Sequence, residues 1–233
     1  MDNGIIFIGD VAGEFDALMR LVEKCPKDRK ILLLGDLNDR GPDSKSVIDW
    51  AMKNPLVDSV FANHEDMFID WFEGTKIYSN DKWPNLWVDH NGGKETLKSY
   101  NKCFFDQYDE QNWWWVPRDH IEWLKTRPLF VEGPDWIATH AAINPAIPWE
   151  MALNIRKGKY KSYDDSVIWN RGKPRRRKDG KFQVHGHNSY RAVHWYKDKL
   201  GVFGACIDTS WSETLSALVW PEKETITVPL KAA

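Results

Sequence analysis

The chain has 233 residues and a formal net charge of −2, which suits one α/β domain with a sizeable core and excludes a generic nucleic-acid coat. Its three cysteines form no CxxC pair, which argues against a disulfide framework or a zinc knuckle and predicts a reducing, cytoplasmic location. No apolar stretch is long enough to cross a bilayer, so we expect no membrane partner.

Strand-like and helix-like segments alternate in the N-terminal third of the chain. Short apolar runs with strand composition occupy 5–8 (IIFI), 31–34 (ILLL) and 59–62 (SVFA). Apolar residues at helical spacing lie between and after them, in 15–25, 47–51 and 67–72. This β-α-β-α-β order predicts a parallel sheet covered by helices.

The rest of the chain is predicted to add a cap and further strands. The polar and aromatic segment of about 75–127 predicts a cap of helices and loops. Residues 128–142 predict a hairpin around Gly-Pro-Asp, and later strands are expected at 182–184, 202–207, 215–220 and 225–228. We therefore expect a single domain, 1–233, with a cap-like insertion.

Five apolar runs end in side chains that bind metals or transfer protons, namely Asp10, Asp36, Asn63 with His64, His140 and His187. Any one of them alone could be a helix cap or a turn residue. In open α/β sheets, however, ligands bind beyond the carboxyl ends of the strands. Five such residues in order therefore predict one shared site.

The donor types in this set restrict the chemistry. Carboxylates, imidazoles and an amide, with no thiolate, suit Mn²⁺, Fe or Zn²⁺ better than Ca²⁺. A carboxylate shared by two cations makes a binuclear site, which activates water near neutral pH and neutralises phosphate oxygens. The set therefore favours hydrolysis of a phosphate ester.

The motifs GDVAG, GDLNDRG, ANHE, HAA and GH, in this order, resemble those of the calcineurin-like metallophosphoesterase superfamily. The segments HNGGKETLKSY, VIWNR and CIDTSW are most similar to serine/threonine protein phosphatases of the bacteriophage lambda type, and NHE differs from the NHD usual in diadenosine tetraphosphatases. The resemblance spans nearly the whole chain. It implies a layered α/β fold in which central mixed β-sheets form a β-sandwich flanked by helices.

The resemblance implies two divalent metal ions, with Mn²⁺ expected and Fe, Zn or Ni as alternatives. Asp10 would bind the first ion and Asp36 would bridge both ions. Asn63, His140 and His187 would bind the second ion.

The same resemblance implies roles for the remaining site residues. His64 would be the general acid for the leaving oxygen, oriented by Asp39. Arg40 and Arg171 would clamp the phosphate with their planar donor forks, and Asn91 would shape the substrate pocket.

Ala12 occupies the position of a histidine that, in the family, completes the binding of the first metal. Gly9, Asp10 and Gly13 around it keep the family pattern. A deliberate single substitution that cripples turnover is the favoured interpretation, and natural divergence is the other. Either predicts weak or absent activity with the second metal retained.

We expect a metal-dependent phosphomonoesterase that acts on phosphoserine and phosphothreonine proteins by attack of a metal-activated hydroxide, in the host cytoplasm if a phage encodes it. One alternative is a nucleotide, dinucleoside polyphosphate or nucleic-acid phosphatase, and another is a non-catalytic phosphate-binding module. The basic loop, residues 173–181, could steer a nucleic acid or be a solvated insertion. The cluster Trp113–Trp115 could stack on a substrate or pack the cap.

Overall fold

A computed structural model describes residues 4–78, 85–101, 115–153 and 165–232. Its strands are β1 (Ile5–Ile8), β2 (Lys30–Leu33), β3 (Val57–Ser59), β4 (Phe130–Glu132), β5 (Trp136–Thr139), β6 (Phe182–His185), β7 (His194–Asp198), β8 (Gly201–Cys206), β9 (Thr214–Trp220) and β10 (Glu224–Pro229). Its helices are α1 (Phe15–Lys24), α2 (Ser44–Lys53), α3 (Asn63–Glu73), α4 (Leu86–His90), α5 (Gly93–Tyr100), α6 (Arg118–Lys125) and α7 (Trp149–Ala152).

The described strands form two mixed five-stranded sheets. The first has the order β10-β9-β1-β2-β3, with β1, β2 and β3 parallel and β9 antiparallel to both β1 and β10. The N-terminal β-α-β-α-β prediction is therefore confirmed. The C-terminal strands β9 and β10 complete this sheet rather than the second one.

The second sheet has the order β4-β5-β6-β8-β7. The predicted hairpin is the antiparallel pair β4 and β5, while β5, β6 and β8 run parallel. The sequence analysis missed β7, an edge strand with a register shift at Tyr196/Lys197. Its sequence, HWYKD, lacks a continuous apolar run because much of an edge strand faces solvent.

Alternating side chains of β1 show why the sheets stack as layers. Ile6 and Ile8 point into the core that the helices cover, whereas Phe7 points to the opposite face. There Phe7 packs with Trp136 and Val184 of the second sheet, in a core shared by both sheets. This arrangement is the β-sandwich flanked by helices that the resemblance implied.

The third strand ends earlier than predicted. β3 covers Val57–Ser59, whereas the apolar run extends to Ala62. The amide of Val60 still donates to the Leu33 carbonyl at 3.0 Å, but that of Phe61 donates to the Pro128 carbonyl instead. The chain thus turns away from the sheet and places Asn63 at the first position of α3.

Within the segment predicted as a cap, helices α4, α5 and α6 are described. Trp113 and Trp114 lie outside the described residues, while Trp115 packs against the main hydrophobic core. The boundaries of the domain and of the cap stay predictions. Among the described residues, no helix is both long and apolar enough to cross a membrane.

Candidate active site

Each parallel strand of both sheets is followed by a buried polar side chain of the candidate site. In chain order these residues are Asp10 after β1, Asp36 after β2, Asn63 after β3, His140 after β5, His187 after β6 and Asp208 after β8. Sequence analysis missed Asp208, although the rule that found the other five also applies to it. The carboxyl ends of the parallel strands of both sheets thus meet at one site, where ligands bind in open α/β sheets.

The loops at this edge have unusual backbone conformations. Five non-glycine residues adopt positive φ angles there, namely Ala12 (48°), Asp36 (48°), Asp39 (75°), Arg40 (62°) and His187 (64°). Such angles are costly for residues with a Cβ atom and persist only where surrounding contacts hold them. Hydrogen bonds to other elements hold this backbone, since the Asp36 amide donates to Glu65 and the Arg40 amide donates to the Gly92 carbonyl.

His140 and His187 present unprotonated nitrogens to each other. His140 Nδ1 donates to the Leu34 carbonyl at 2.7 Å, and His187 Nε2 donates to the Trp169 carbonyl at 3.1 Å. Burial lowers the pKa of His140, and it lowers the pKa of His187 to about 2, so both rings are neutral. The lone pairs of His140 Nε2 and His187 Nδ1 therefore face each other at 3.2 Å.

Two oxygen acceptors complete this convergence of lone pairs. His140 Nε2 lies 2.8 Å from Asn63 Oδ1 and 3.3 Å from Asp36 Oδ1. Ligand atoms of Asp36, His140 and His187 lie within 4.8 Å of one another. Because none of these atoms carries a proton for the others, a cation satisfies all of them together. The donor set fits a divalent metal ion.

Asp10 lies beside this group on the His187 side. The amide of His187 donates to both carboxylate oxygens of Asp10 at 3.1 Å. Burial, and then the charge of the buried Asp208 and that of Asp36, raises the pKa of Asp10 well above its usual value. A second cation near these carboxylates would offset their repulsion, as the sequence analysis predicts for Asp10.

Glu65 holds the loop that presents Asp36. Its carboxylate accepts hydrogen bonds from the amides of Leu37 at 2.6 Å and Asp36 at 3.2 Å. Glu65 lies in the first turn of α3, where acidic residues commonly stabilise the start of a helix. The structure instead shows a contact across 28 residues of sequence, which no local pattern could reveal.

His64 and Asp39 form the pair that the resemblance implied. His64 Nδ1 donates to Asp39 Oδ2, while Asp39 also accepts from Trp87 Nε1 and Thr96 Oγ1, each at 2.7 Å. Burial alone would lower the pKa of His64, but Asp36 and Asp39 raise it above its usual value. The Asp39 carboxylate thus sets the tautomer and the orientation of the ring.

Arg40 reaches the free side of the same imidazole. Its Nη2 lies 3.3 Å from His64 Nε2, so the guanidinium and the imidazole lie side by side at the site. The Arg40 amide donates to the Gly92 carbonyl at 3.3 Å, and a Cβ atom at Gly92 would lie 2.6 Å from that amide. The Asn91 side chain instead donates to the Leu86 carbonyl, so its role in the pocket stays a prediction.

Arg171 lies at the rim of the site, exposed to solvent. Its Nη1 donates to the His187 carbonyl at 3.4 Å, and its own carbonyl accepts from Asn188 Nδ2 at 3.2 Å. The side chain is therefore close to the metal-type ligands and accessible to a substrate. Binding of phosphate by Arg171 stays a prediction.

Ala12 contacts the candidate bridging residue through the backbone. Its amide donates to the Asp36 carbonyl at 2.6 Å, and its carbonyl accepts from the Gly41 amide at 2.8 Å. Position 12 therefore lies directly beside the predicted metal site. A histidine is among the residue types that tolerate its positive φ angle best.

Half of the positive charges in the basic loop are engaged within the protein. Arg176 pairs with Asp198, Arg177 with Asp179 and Lys181 with Glu132. The Arg176 guanidinium also lies over the ring of Phe203 on the second sheet. These contacts reduce the charge that the loop can offer to a nucleic acid, so the structure favours a structural role for these three residues.

A family model described as calcineurin-like phosphoesterase matches residues 4–205. Over 95% of this chain and 92% of its own length, a bis(5'-nucleosyl)-tetraphosphatase (asymmetrical) from Anoxybacillus flavithermus is 26% identical. A symmetrical bis(5'-nucleosyl)-tetraphosphatase from Chromobacterium violaceum is 27% identical over 65% of this chain. The chain spans only 47% of that second relative.

Solved structures agree with the fold. One, provisionally named a diadenosine tetraphosphatase, has a TM-score of 0.62 and 21% sequence identity and covers 97% of this chain and 94% of its own. At this level of identity the likeness shows a shared architecture. The β-sandwich implied by the sequence motifs is therefore confirmed.

Proposed function

Because the chain belongs to the calcineurin-like phosphoesterase family, we propose that it is a metal-dependent hydrolase of phosphorylated nucleotides, with dinucleoside polyphosphates as the substrate class. The observation that carries the hydrolase proposal is the convergence of lone pairs from Asp36, Asn63, His140 and His187. The named relatives support the nucleotide substrate. They favour the alternative in the sequence analysis over a phosphoprotein phosphatase.

Asp36, Asn63, His140 and His187 would hold one divalent cation, and Asp10 with Asp36 would hold a second. Such cations supply an activated water and neutralise phosphate oxygens. Arg40 and the exposed Arg171 would bind the phosphate through their guanidinium forks. His64 would give a proton from Nε2 to the leaving oxygen, while Asp39 keeps Nδ1 protonated.

The short distance between Arg40 and His64 bears on how His64 would give its proton to the leaving oxygen. In the structure, Arg40 Nη2 points at His64 Nε2, 3.3 Å away. If Arg40 turned to a phosphate oxygen of the substrate, Nε2 would be free to take a proton from water and pass it to the leaving group. Substrate binding and protonation of the leaving group would then be coupled at one position.

A substrate panel tests the proposal. Diadenosine tetraphosphate, a phosphoserine peptide and p-nitrophenyl phosphate are compared in Mn²⁺, with this chain and with Ala12→His. We expect turnover of the dinucleotide to exceed that of the peptide. Faster turnover of the peptide would restore the protein-phosphatase interpretation. Nucleotide binding with no turnover by either form would indicate the non-catalytic module.

A further inference from the structure

Trp211 is exposed beside the candidate site. The residue is 67% exposed, whereas the other tryptophans that the structure describes are buried or half-buried. Single exposed apolar residues are common on protein surfaces. The position of Trp211, rather than its exposure, is therefore what points to a function.

The backbone of Trp211 is fixed to two loops of the site. It lies in a short 3-10 turn, Ser210–Ser212, which is separated from Asp208 by Thr209. The amide of Ser210 donates to Asp208 Oδ1 at 2.9 Å, and the amide of Trp211 donates to Ser189 Oγ at 2.6 Å. Since Ser189 follows His187 by two positions, the indole sits on a support that is tied to the metal-type ligands.

The turn formed by residues 187–189 connects Trp211 with a phosphate-binding candidate. On one side, Arg171 donates to the His187 carbonyl and accepts from Asn188. On the other side, Ser189 holds the amide of Trp211. Arg171 and the backbone of Trp211 are therefore both held by residues of the same turn.

Building on the proposed function, we infer that Trp211 is a stacking platform for the nucleobase of the substrate. Every base offers a π-face to an indole, so stacking selects nucleotides without selecting one base. A phosphoserine peptide without aromatic residues offers no such face. Trp211 would therefore be a specificity-determining residue. It would contribute to substrate binding without contacting the reacting atoms.

The test compares Trp211→Ala and Trp211→Phe with the unchanged chain in Mn²⁺. The control is Leu200→Ala, which shortens an 81% exposed side chain between β7 and β8. Calorimetry measures binding of adenosine 5'-tetraphosphate and of inorganic tripolyphosphate. We expect Trp211→Ala to weaken nucleotide binding about 10-fold with tripolyphosphate unchanged, Trp211→Phe to retain most of the affinity, and Leu200→Ala to have no effect.

Two results would overturn the platform. Equal nucleotide affinity in Trp211→Ala and the unchanged chain would show that no base stacks there. An equal loss for tripolyphosphate would show that the substitution acts by disturbing the 187–189 turn. Neither result bears on the proposed hydrolysis of nucleotides, whose own failure would appear as a preference of the unchanged chain for the phosphopeptide in the substrate panel.

Discussion

Glu65 Oε1 accepts a hydrogen bond of 2.6 Å from the amide of Leu37. Both residues are buried, and the contact joins the start of α3 to the loop that carries Asp36. The strained φ angle of Asp36 is thus held by a side chain from a different element. A residue outside the predicted ligand set therefore controls the position of the central carboxylate.

Replacing Glu65 with alanine should lower both stability and metal affinity. The substitution leaves the buried amides of Leu37 and Asp36 without an acceptor, which should cost about 2 kcal/mol or more of unfolding free energy. Mn²⁺ affinity should fall about 10–100-fold. Urea denaturation and calorimetry measure the two effects, and Glu122→Ala, at a more exposed glutamate, is the control. Unchanged Mn²⁺ affinity would show that the loop keeps its shape without Glu65.

Ala12→His should add a metal ligand. Position 12 lies beside Asp36 and has a φ angle of 48°, which histidine tolerates. We expect an additional equivalent of bound Mn²⁺ and a rise in turnover of about 10-fold or more. Ala12→Phe, which adds a ring without a ligating nitrogen, separates ligation from bulk. Equal amounts of bound Mn²⁺ and equal turnover in Ala12→His and Ala12→Phe would show that the residue at position 12 does not bind the metal.

His140→Ala should abolish stabilisation by Mn²⁺. Ligands that bind only the folded state raise its stability, by about 2.7 kcal/mol at a concentration 100 times Kd. The rise in Tm with Mn²⁺ should disappear in His140→Ala and persist in His194→Ala, because His194 stacks on Tyr190 away from the ligand set. The same Mn²⁺-dependent rise in His140→Ala would contradict the assigned centre.

His64→Asn should affect substrates according to their leaving groups. If His64 protonates the leaving oxygen, an alkyl phosphate should lose about 100-fold or more in kcat. p-Nitrophenyl phosphate should lose much less, because nitrophenolate departs without a proton. Asp39→Asn should show the same pattern, since Asp39 orients the ring. Equal losses on both substrates would indicate a structural role for the pair.

Asp49 on α2 should contribute stability that depends on pH. Although partial burial raises its pKa, hydrogen bonds from Lys45 and Lys53 lower the pKa from 3.8 to about 2. Its contribution is therefore complete above the unfolded-state pKa of 3.8 and is lost as the pH falls through about 2.

Because Lys53 is exposed and Lys45 is partly exposed, we expect Asp49→Asn to cost only about 1 kcal/mol at neutral pH. This difference from the unchanged chain should shrink as the pH falls below 4 or so. Urea denaturation across this range measures it, with the exposed Asp28→Asn as control. A cost for Asp49→Asn that does not vary with pH would show that the ion pairs contribute nothing.

Local sequence patterns determined much of the fold and most of the candidate site. Alternating apolar residues such as Ile6, Phe7 and Ile8 specify which face of β1 meets helices and which meets the second sheet. Residues at the ends of apolar runs indicate where a site lies, because parallel strands share one carboxyl edge. Those signals operate over a few neighbouring positions, so the sequence alone displays them.

Tertiary structure alone decided how the side chains act together. The amide of His187 meets Asp10 across 177 residues, Glu65 reaches the Asp36 loop, and carbonyls from other elements set the tautomers of His140 and His187. The support of Trp211 by Ser189 has the same origin. Such contacts depend on how sheets, helices and loops pack in three dimensions, and no local spacing encodes that packing.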